Sequence, residues 1–415
     1  MTIAFTTLGC KLNYAETSTY QRGLAAGGFE TVPWSSMADY YLINTCAVTT
    51  HAEQKSRGFI RRAHKTAPQA KIIVTGCYAE LKREELMAMD GVYAVYGAGE
   101  KSRIVPDLVA AASGLPAPED SWEPILPAYS SGERTRSFLK VQDGCDNFCT
   151  YCTVPFARGR SRNLPVCTCR RSAEEIAASG IREIVLTGVN TGDFGRTTGE
   201  SFLDLLKALD GVEGIDRYRI SSIEPNLLSD EIIDWIASGT KFQPHFHIPL
   251  QVGTDEMLRK VGRRYDTALF ASRTDRIRQK MEAPGKPKVF FGIDVIAGLP
   301  GETDALFEES FRFLEERIHP AFLHVFPFSP RPGTRAAKMP GQVRDSVKTE
   351  RVALLEALSR RLHEEFVEAN RGIKERVLWE SSEKGGMMGG YTGNYIRVER
   401  PYDPSRVNTL EDIIL

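Results

Sequence analysis

A surplus of charge of one sign is missing from these 415 residues: Lys and Arg number 53, Asp and Glu 54, and the net charge is −1. That balance excludes a uniformly basic nucleic-acid coat and an acidic disordered tail, while leaving room for local basic patches. Long apolar runs are missing as well. No stretch of about 18 apolar residues occurs, so no membrane span is expected. The opening MTIAFTTLGCKLN has neither a basic n-region nor a long apolar h-region, unlike a secretory leader. Cysteine is scarce, at 8 residues, far short of a disulfide scaffold. A reducing, cytoplasmic setting is therefore expected, in which clustered cysteines mean metal binding or catalysis. Low-complexity tracts and a GxGxxG run are absent too, and GLPGE at 298–302 is only a weak likeness to a phosphate loop. Length alone, at ~100–200 residues per domain, suggests two to four domains.

What is present is a distinctive placing of the cysteines: Cys10, Cys46, Cys77, Cys145, Cys149, Cys152, Cys167 and Cys169. The first hundred residues read as alternating strands and helices. IAFTTLG, YYLINT, KIIVTG and VYAVYG are the strands, and helices are expected over 14–26, 53–65 and 82–89. Strand–helix units of this length argue for a parallel sheet. Cys10, Cys46 and Cys77 each close one of the first three strands. The carboxyl ends of parallel strands share one edge, where ligands bind, so topology would gather these three thiols. The alternative is three unrelated buried thiols, since free cysteine packs well in cores.

Residues 111–132 are rich in Pro, Gly, Ser and Ala and read as a linker or long surface connection. A second series of strands is expected at SFLKVQD, EIVLTGV, YRISSIE, HFHIPLQ, KVFFGIDVIAG and FLHVFPFS, with helices between them. Ser229 and Thr303 have acids after them and suit helix N-caps. About six such repeats suggest a partial barrel rather than a complete eightfold one. A long amphipathic helix is expected over 343–369. Beyond residue 371 the period changes: ERVLWE and NYIRVE alternate as strands do, around the glycine-rich KGGMMGGYTGN, which reads as a turn. This tail suggests a small β-barrel or OB-like module.

Cys145-x3-Cys149-x2-Cys152 follows the first strand of the second series. Three thiolates this close can wrap one corner of an iron–sulfur cube and leave its fourth iron open. Zinc is the alternative, but it normally wants a fourth ligand, and no histidine lies nearby in sequence. C-x3-C-x2-C in the first loop of a partial barrel resembles the radical S-adenosylmethionine (SAM) superfamily. There the open iron chelates SAM, and an electron from the cluster cleaves it to a 5′-deoxyadenosyl radical. The resemblance sharpens with TLGCKLN at 7–13, NTCAVT at 44–49, TGCYAE at 75–80 and DGCDNFCTYCTVPFARGRSRN at 143–163. Together these resemble the methylthiotransferase family over essentially the whole chain. GCKLN and FARGRSRN are closer to the MtaB type, which acts on N6-threonylcarbamoyladenosine in tRNA, than to the MiaB (isopentenyladenosine) or RimO (ribosomal-protein aspartate) types.

The resemblance implies an N-terminal doubly wound parallel sheet over 1–112, a partial (β/α)6 radical SAM barrel over 131–362, and an all-β RNA-binding TRAM barrel over 370–415. It implies one 4Fe-4S cluster on the catalytic Cys145, Cys149 and Cys152, and a second on Cys10, Cys46 and Cys77. The implied reaction replaces the C2 hydrogen of the adenosine 3′-adjacent to the anticodon by a methylthio group. SAM serves both as methyl donor and as radical source. For SAM itself the resemblance points to Tyr151, Thr187, Gly188, Asn190, Ser222, Glu224, Ile296 and Gly298; the alternative for each is a strand-end residue or turn without a ligand. Implied partners are tRNA, an electron donor such as flavodoxin or ferredoxin, and a sulfur donor.

Basic patches fit an RNA partner. Arg158, Arg160, Arg162, Arg170 and Arg171 occur with no acid between residues 155 and 172, and Arg57, Arg61 and Lys65 recur at every fourth position. The alternative is a solvated helix face. Tyr391 and Tyr395 suit either base stacking or core packing. Cys167-x-Cys169 belongs to neither triplet and reads as incidental, and His245 and His247 read as core or rim histidines. Two rival functions remain at this level: the same chemistry on a ribosomal protein, and a non-catalytic, zinc-bearing RNA-binding protein.

Overall fold

The structure, a computed structural model, describes residues 1–118, 123–132 and 135–415. Its first sheet comprises β1 (Thr2–Thr7), β2 (Glu30–Thr31), β3 (Tyr40–Thr45), β4 (Lys71–Gly76) and β5 (Val92–Tyr96), all parallel, in the order β2-β1-β3-β4-β5. Every residue of β3 is buried, as expected of a strand covered on both faces. Alternation then divides its side chains. Leu42 packs with Tyr20, Leu24, Ile104 and Leu108 on one face, and Tyr41 and Ile43 pack with Ile60, Ala63 and Tyr78 on the other. The chain order reverses between β1 and β3, which makes the crevice beyond their carboxyl ends the switch point of a doubly wound sheet. Cys10 and Cys46 follow those two strands, and Cys77 follows the neighbouring β4.

The second sheet is also parallel. It runs β13-β12-β11-β10-β9-β6, from β6 (Arg136–Lys140) through β9 (Glu183–Thr187), β10 (Arg217–Ile220), β11 (Phe242–Gln251) and β12 (Phe290–Ala297) to β13 (Phe322–Pro327). Among the described residues β13 does not pair with β6, so this is the expected six-stranded partial barrel. Two short strands, β7 (Gln142–Asp143) and β8 (Arg162–Asn163), pair antiparallel and bracket the Cys145–Cys152 loop. The Ser229 and Thr303 side chains accept hydrogen bonds from Ile232 N and Leu306 N, as N-caps. The long helix is Asp345–Glu368.

The third sheet is antiparallel, β16-β15-β14-β17, built from β14 (Lys374–Lys384), β15 (Met387–Tyr391), β16 (Arg397–Pro401) and β17 (Leu410–Ile414). The glycine-rich segment is not all turn, because Met387–Tyr391 is a strand and the chain turns on either side of it, at Gly385–Gly386 and at Gly393–Asn394. A Cβ on Gly390 would lie 2.4 Å from Val377 Cγ1 and 2.8 Å from Trp379 Cε3, so that glycine makes room for the neighbouring strand.

Three further expectations shift. The first helix begins at Lys11, directly after Cys10. The helix read over 82–89 is two short ones, Cys77–Leu81 and Arg83–Met87, so Cys77 opens a helix. The 111–132 segment is not a free linker. Its first residues finish the helix Ile104–Ser113, while Ile125 joins the barrel core and Tyr129 bridges to Leu139. Residues 119–122 of that segment lie outside the described residues. Among the described residues no helix is long and apolar enough to cross a membrane.

Candidate active site

The three N-terminal thiols gather as topology requires. Gly9 takes φ +99°, and a Cβ there would sit 2.9 Å from Cys46 Cβ, so the bare backbone lets the β1 and β3 loops touch. Cys10 is accessible, whereas Cys46 and Cys77 are buried. Burial pushes the Cys46 thiol up to about 11, with Cys77 and Cys10 adding to the rise. Cys77 is raised too, first by burial, against the lowering charge of Arg158.

The second triplet sits in the β7–β8 loop. Gly144, at φ +73°, lets that loop pass Arg160, whose carbonyl oxygen would be 2.0 Å from a Cβ. Phe148 adopts φ +47° between two of the cysteines, a left-handed conformation uncommon for a bulky side chain. Burial raises Cys145 to about 11 and Cys152 to about 12. Two donors reach the sulfurs: Val154 N lies 3.4 Å from Cys152 Sγ and Arg263 Nη1 lies 3.3 Å from Cys149 Sγ. Arg263 also pairs with Glu224 at 2.8 Å.

The spacing of the sulfurs tests which group the triplets suit. Among the described residues neither triplet brings its three sulfurs within 4.8 Å of one another. A tetrahedral zinc at ~2.3 Å from each sulfur would hold them ~3.8 Å apart. Neither triplet is gathered around one zinc ion, and three thiolates without a fourth protein ligand are a donor set that an iron–sulfur cluster takes.

Beside Cys152 lies a cavity of about 200 Å³, lined by Tyr151, Ile296, Gln251, Asp294, Phe326 and Phe328, and by Val48 and Thr49 from the loop after β3. Two of the residues expected around SAM, Tyr151 and Ile296, therefore meet here. Asn190 is buried, and neither its Nδ2 nor its Oδ1 has a hydrogen-bond partner among the described residues, as befits a side chain that awaits a polar ligand. The others have contacts within the protein. Glu224 is held by Arg263, Thr187 Oγ1 donates to Val185 O, and Gly188 packs against Gln142. The Ser222 carbonyl accepts from Thr191. A Cβ on Gly298 would meet Lys348 Cγ at 2.3 Å, so a bare backbone is also what that helix requires there. Arg263, Gln251 and Asp294 escaped the sequence reading, because no local motif marks them.

The arginine loop also needs correcting. Arg158 does not face solvent. It is buried, bonded to Glu16 at 3.3 Å, to Asp143 at 2.8 Å and to Asn13 Oδ1. Glu16 also takes Lys101 at 2.7 Å and Lys140 at 2.9 Å. Burial pushes the Glu16 carboxyl up, but Lys101, Lys140 and Arg158 outweigh it and hold it far below the usual range. Arg162 turns inward, donating to the Arg158 and Pro124 carbonyls, while Arg160, Arg170 and Arg171 stay exposed. On the helix Thr50–Thr66, Arg57 bonds Tyr78 OH at 2.6 Å and Arg61 and Lys65 are exposed.

A larger cavity of about 700 Å³ occupies the barrel interior and is bounded by Cys10, Lys11 and the third sheet. Within it His247 Nε2 lies 2.7 Å from Asp294 Oδ1, with His324 adjoining. Burial first, then His247, pushes His324 down to about 4, so it is neutral at ordinary pH. His245 is a buried histidine, stacked on Phe290 at 5.0 Å and beside Tyr395 at 4.8 Å. Tyr391 and Tyr395 stack on each other at 4.8 Å under the Arg136 guanidinium. Cys169 is buried in the barrel core and Cys167 is exposed on the same helix, Val166–Ala178, so the pair has no common site.

Residues 2–97 match the model described as Uncharacterized protein family UPF0004, and residues 139–314 match the Radical SAM superfamily. Over 96% of this chain and 90% of the relative, the sequence is 38% identical to the threonylcarbamoyladenosine tRNA methylthiotransferase MtaB of Bacillus subtilis. The chain belongs to the tRNA methylthiotransferase family. Another relative is the tRNA-2-methylthio-N(6)-dimethylallyladenosine synthase of Anaeromyxobacter dehalogenans, 34% identical over 92% of this chain and 84% of the relative. The fold of this methylthiotransferase also matches the radical SAM methyltransferase TsrM of Kitasatospora setae. The TM-score is 0.60 at 15% identity, covering 81% of this chain and 75% of that one. Methylthiotransferases of this family use SAM and 4Fe-4S clusters.

Proposed function

We propose that the protein converts N6-threonylcarbamoyladenosine to its 2-methylthio derivative at the adenosine 3′-adjacent to the anticodon of tRNA. In this reading Cys145, Cys149 and Cys152 hold one 4Fe-4S cluster, and Cys10, Cys46 and Cys77 hold the other. One observation carries it: the cavity beside Cys152 has Val48 and Thr49, the near neighbours of Cys46, as its opposite wall. The SAM-side residues Tyr151 and Ile296 and the neighbours of Cys46 thus face one space between the two triplets, where the substrate base comes to react.

When bound, SAM and the clusters supply the radical, the sulfur and the methyl group, chemistry that belongs to the cofactors. The chain supplies placement and shielding. Tyr151, Ile296, Phe326 and Phe328 give the cavity apolar walls against which the adenine ring of SAM can lie. Arg263 orients the Cys149 thiolate and is itself fixed by Glu224. The adenine C2 hydrogen is not acidic, so the site needs no general base for it. Exposed Arg160, Arg170, Arg171, Arg61 and Lys65 meet RNA phosphates, and the third sheet serves as a TRAM-type module. The setting is cytoplasmic, with a flavodoxin or ferredoxin as reductant and a separate sulfur donor.

The test is anaerobic turnover of the reconstituted enzyme with SAM, a reductant and an anticodon stem–loop carrying N6-threonylcarbamoyladenosine. The methylthio nucleoside is expected alongside 5′-deoxyadenosine. Cleavage of SAM with the stem–loop unchanged would contradict the substrate.

A further inference from the structure

The larger cavity holds one uncommitted charge. Four Lys or Arg and four His line it, and no Asp or Glu does. Three of the four strong cations have carboxylate partners: Arg136 with Glu380 at 2.7 Å, Arg219 with Glu183 at 2.8 Å, and Arg397 with Glu399 at 2.9 Å. Lys11 has none. Its side chain is accessible from the cavity, with no ion pair or hydrogen bond among the described residues. Of the groups that act on it from elsewhere, Tyr395 favours its charge most, Arg136 and Arg219 repel it, and Asp294 attracts it. The Asp294 carboxylate is already held by His247 at 2.7 Å.

Lys11 is open to the cavity, and its ammonium faces the like charges of Arg136 and Arg219 with no carboxylate of its own. An entering carboxylate would pair with it and offset the mutual repulsion with Arg136 and Arg219. We propose that Lys11 receives the carboxylate of the substrate's amino-acid substituent, making this cavity the subsite that selects an anion-bearing adenosine over a hydrocarbon-bearing one. The proposal rests on the substrate reading above and deepens it. A threonylcarbamoyl group is joined to the base through the threonine nitrogen, so its carboxylate and hydroxyl are free. Lys11 directly follows Cys10, so a base lying between the triplets has its substituent beside this ammonium. An isopentenyl group entering the same space would desolvate Lys11 and give nothing back, which is discrimination by an unpaired charge. Lys11 thus acts on specificity and takes no part in the chemistry.

The test uses the reconstituted holoenzyme and three anticodon stem–loops, carrying N6-threonylcarbamoyladenosine, its methyl ester, or isopentenyladenosine. Binding is followed by fluorescence anisotropy, and turnover with SAM and reductant by nucleoside mass spectrometry, for wild type, Lys11→Met, Lys11→Gln and Lys11→Arg, with iron and sulfide measured on each. Wild type is expected to prefer the free acid over the ester by ~10–100-fold, the scale of one charge-assisted hydrogen bond. Lys11→Met is expected to erase that ratio at unchanged iron, with Lys11→Gln as the second neutral variant should Met disturb the neighbouring Cys10. Lys11→Arg is expected to keep most of the ratio. A wild type that binds and methylthiolates acid and ester equally overturns the role of Lys11 while the substrate reading stands. A neutral variant with full iron and the wild-type ratio also overturns it. A wild type that turns over only the isopentenyl stem–loop overturns both.

Discussion

Glu16 and Arg158 meet at 3.3 Å, and neither side chain is open to solvent. One belongs to the helix that Cys10 begins, the other to the short helix Val154–Arg158 that follows Cys152. Their pairing therefore fixes the two cysteine triplets relative to each other. Ala157, beside Arg158, packs into the core of the first sheet with Tyr78, which adds apolar contact to the same joint.

Removing the Glu16 charge leaves Lys101, Lys140 and Arg158 with Asp143 as their main counter-charge. Breaking a buried pair from one side typically costs about 3–5 kcal/mol. Glu16→Gln is expected to lower the urea midpoint followed by circular dichroism to match. An unchanged midpoint would show that the network does not hold the two sheets together.

A second joint responds to acid. Burial pushes Glu183 up, but Arg219, Arg136 and Arg217 outweigh it and hold its carboxyl below the usual range. Arg219 in turn donates to the Gly393 and Thr392 carbonyls at 2.7 and 2.8 Å, tying the barrel to the third sheet. A carboxyl whose folded pKa is depressed contributes stability above its unfolded value of about 4.3 and loses it as pH falls. Proteolysis within 370–415 is expected to accelerate below about pH 4. In Glu183→Gln the same cleavage is expected to be fast already at neutral pH, with little added by acid. Cleavage that ignores both acid and the substitution would contradict the tie.

Strands β3 and β4 could be read from YYLINT and KIIVTG to the residue, because continuous apolar runs bounded by turn residues have few other solutions. The gathering of Cys10, Cys46 and Cys77 followed from parallel topology alone. Arg158 was misread because local sequence surrounds it with arginines and no acid. Its partners Glu16 and Asp143 lie 142 and 15 residues away. Gly390 was misread as a turn because glycine signals bare backbone without saying what comes close to it, here Trp379 and Val377. Lys11 and Asp294 come from separate elements, and only folding brings their charges within reach of each other, as it brings Arg263 to the Cys149 sulfur.

Arg263 links Glu224 to the Cys149 sulfur. Losing a group that orients a metal ligand typically costs ~10–100-fold in affinity or activity. Arg263→Met is expected to slow SAM cleavage by that factor, and Arg263→Lys by less. Cleavage at the wild-type rate in Arg263→Met would show that Cys149 needs no such support.

The cysteine inventory separates structure from chemistry. The reconstituted protein is expected to hold about eight iron and eight sulfide per chain, from two four-iron clusters. Cys149→Ala and Cys46→Ala are each expected to retain about four, and Cys167→Ser all of them. Cys169→Ser is expected to cost stability, because it buries a hydroxyl in an apolar core, yet to leave the iron unchanged. Loss of iron in Cys167→Ser, or a colourless protein with stoichiometric zinc, would contradict this assignment.

The most direct test of the whole reading is mass spectrometry of tRNA nucleosides from a bacterial host that lacks its own methylthiotransferases, expressing wild type, Cys46→Ala or Cys149→Ala. The 2-methylthio derivative of N6-threonylcarbamoyladenosine is expected with the wild type alone. Appearance of the methylthio isopentenyl nucleoside instead, or of product in either cysteine variant, would contradict the proposed substrate or the need for both triplets.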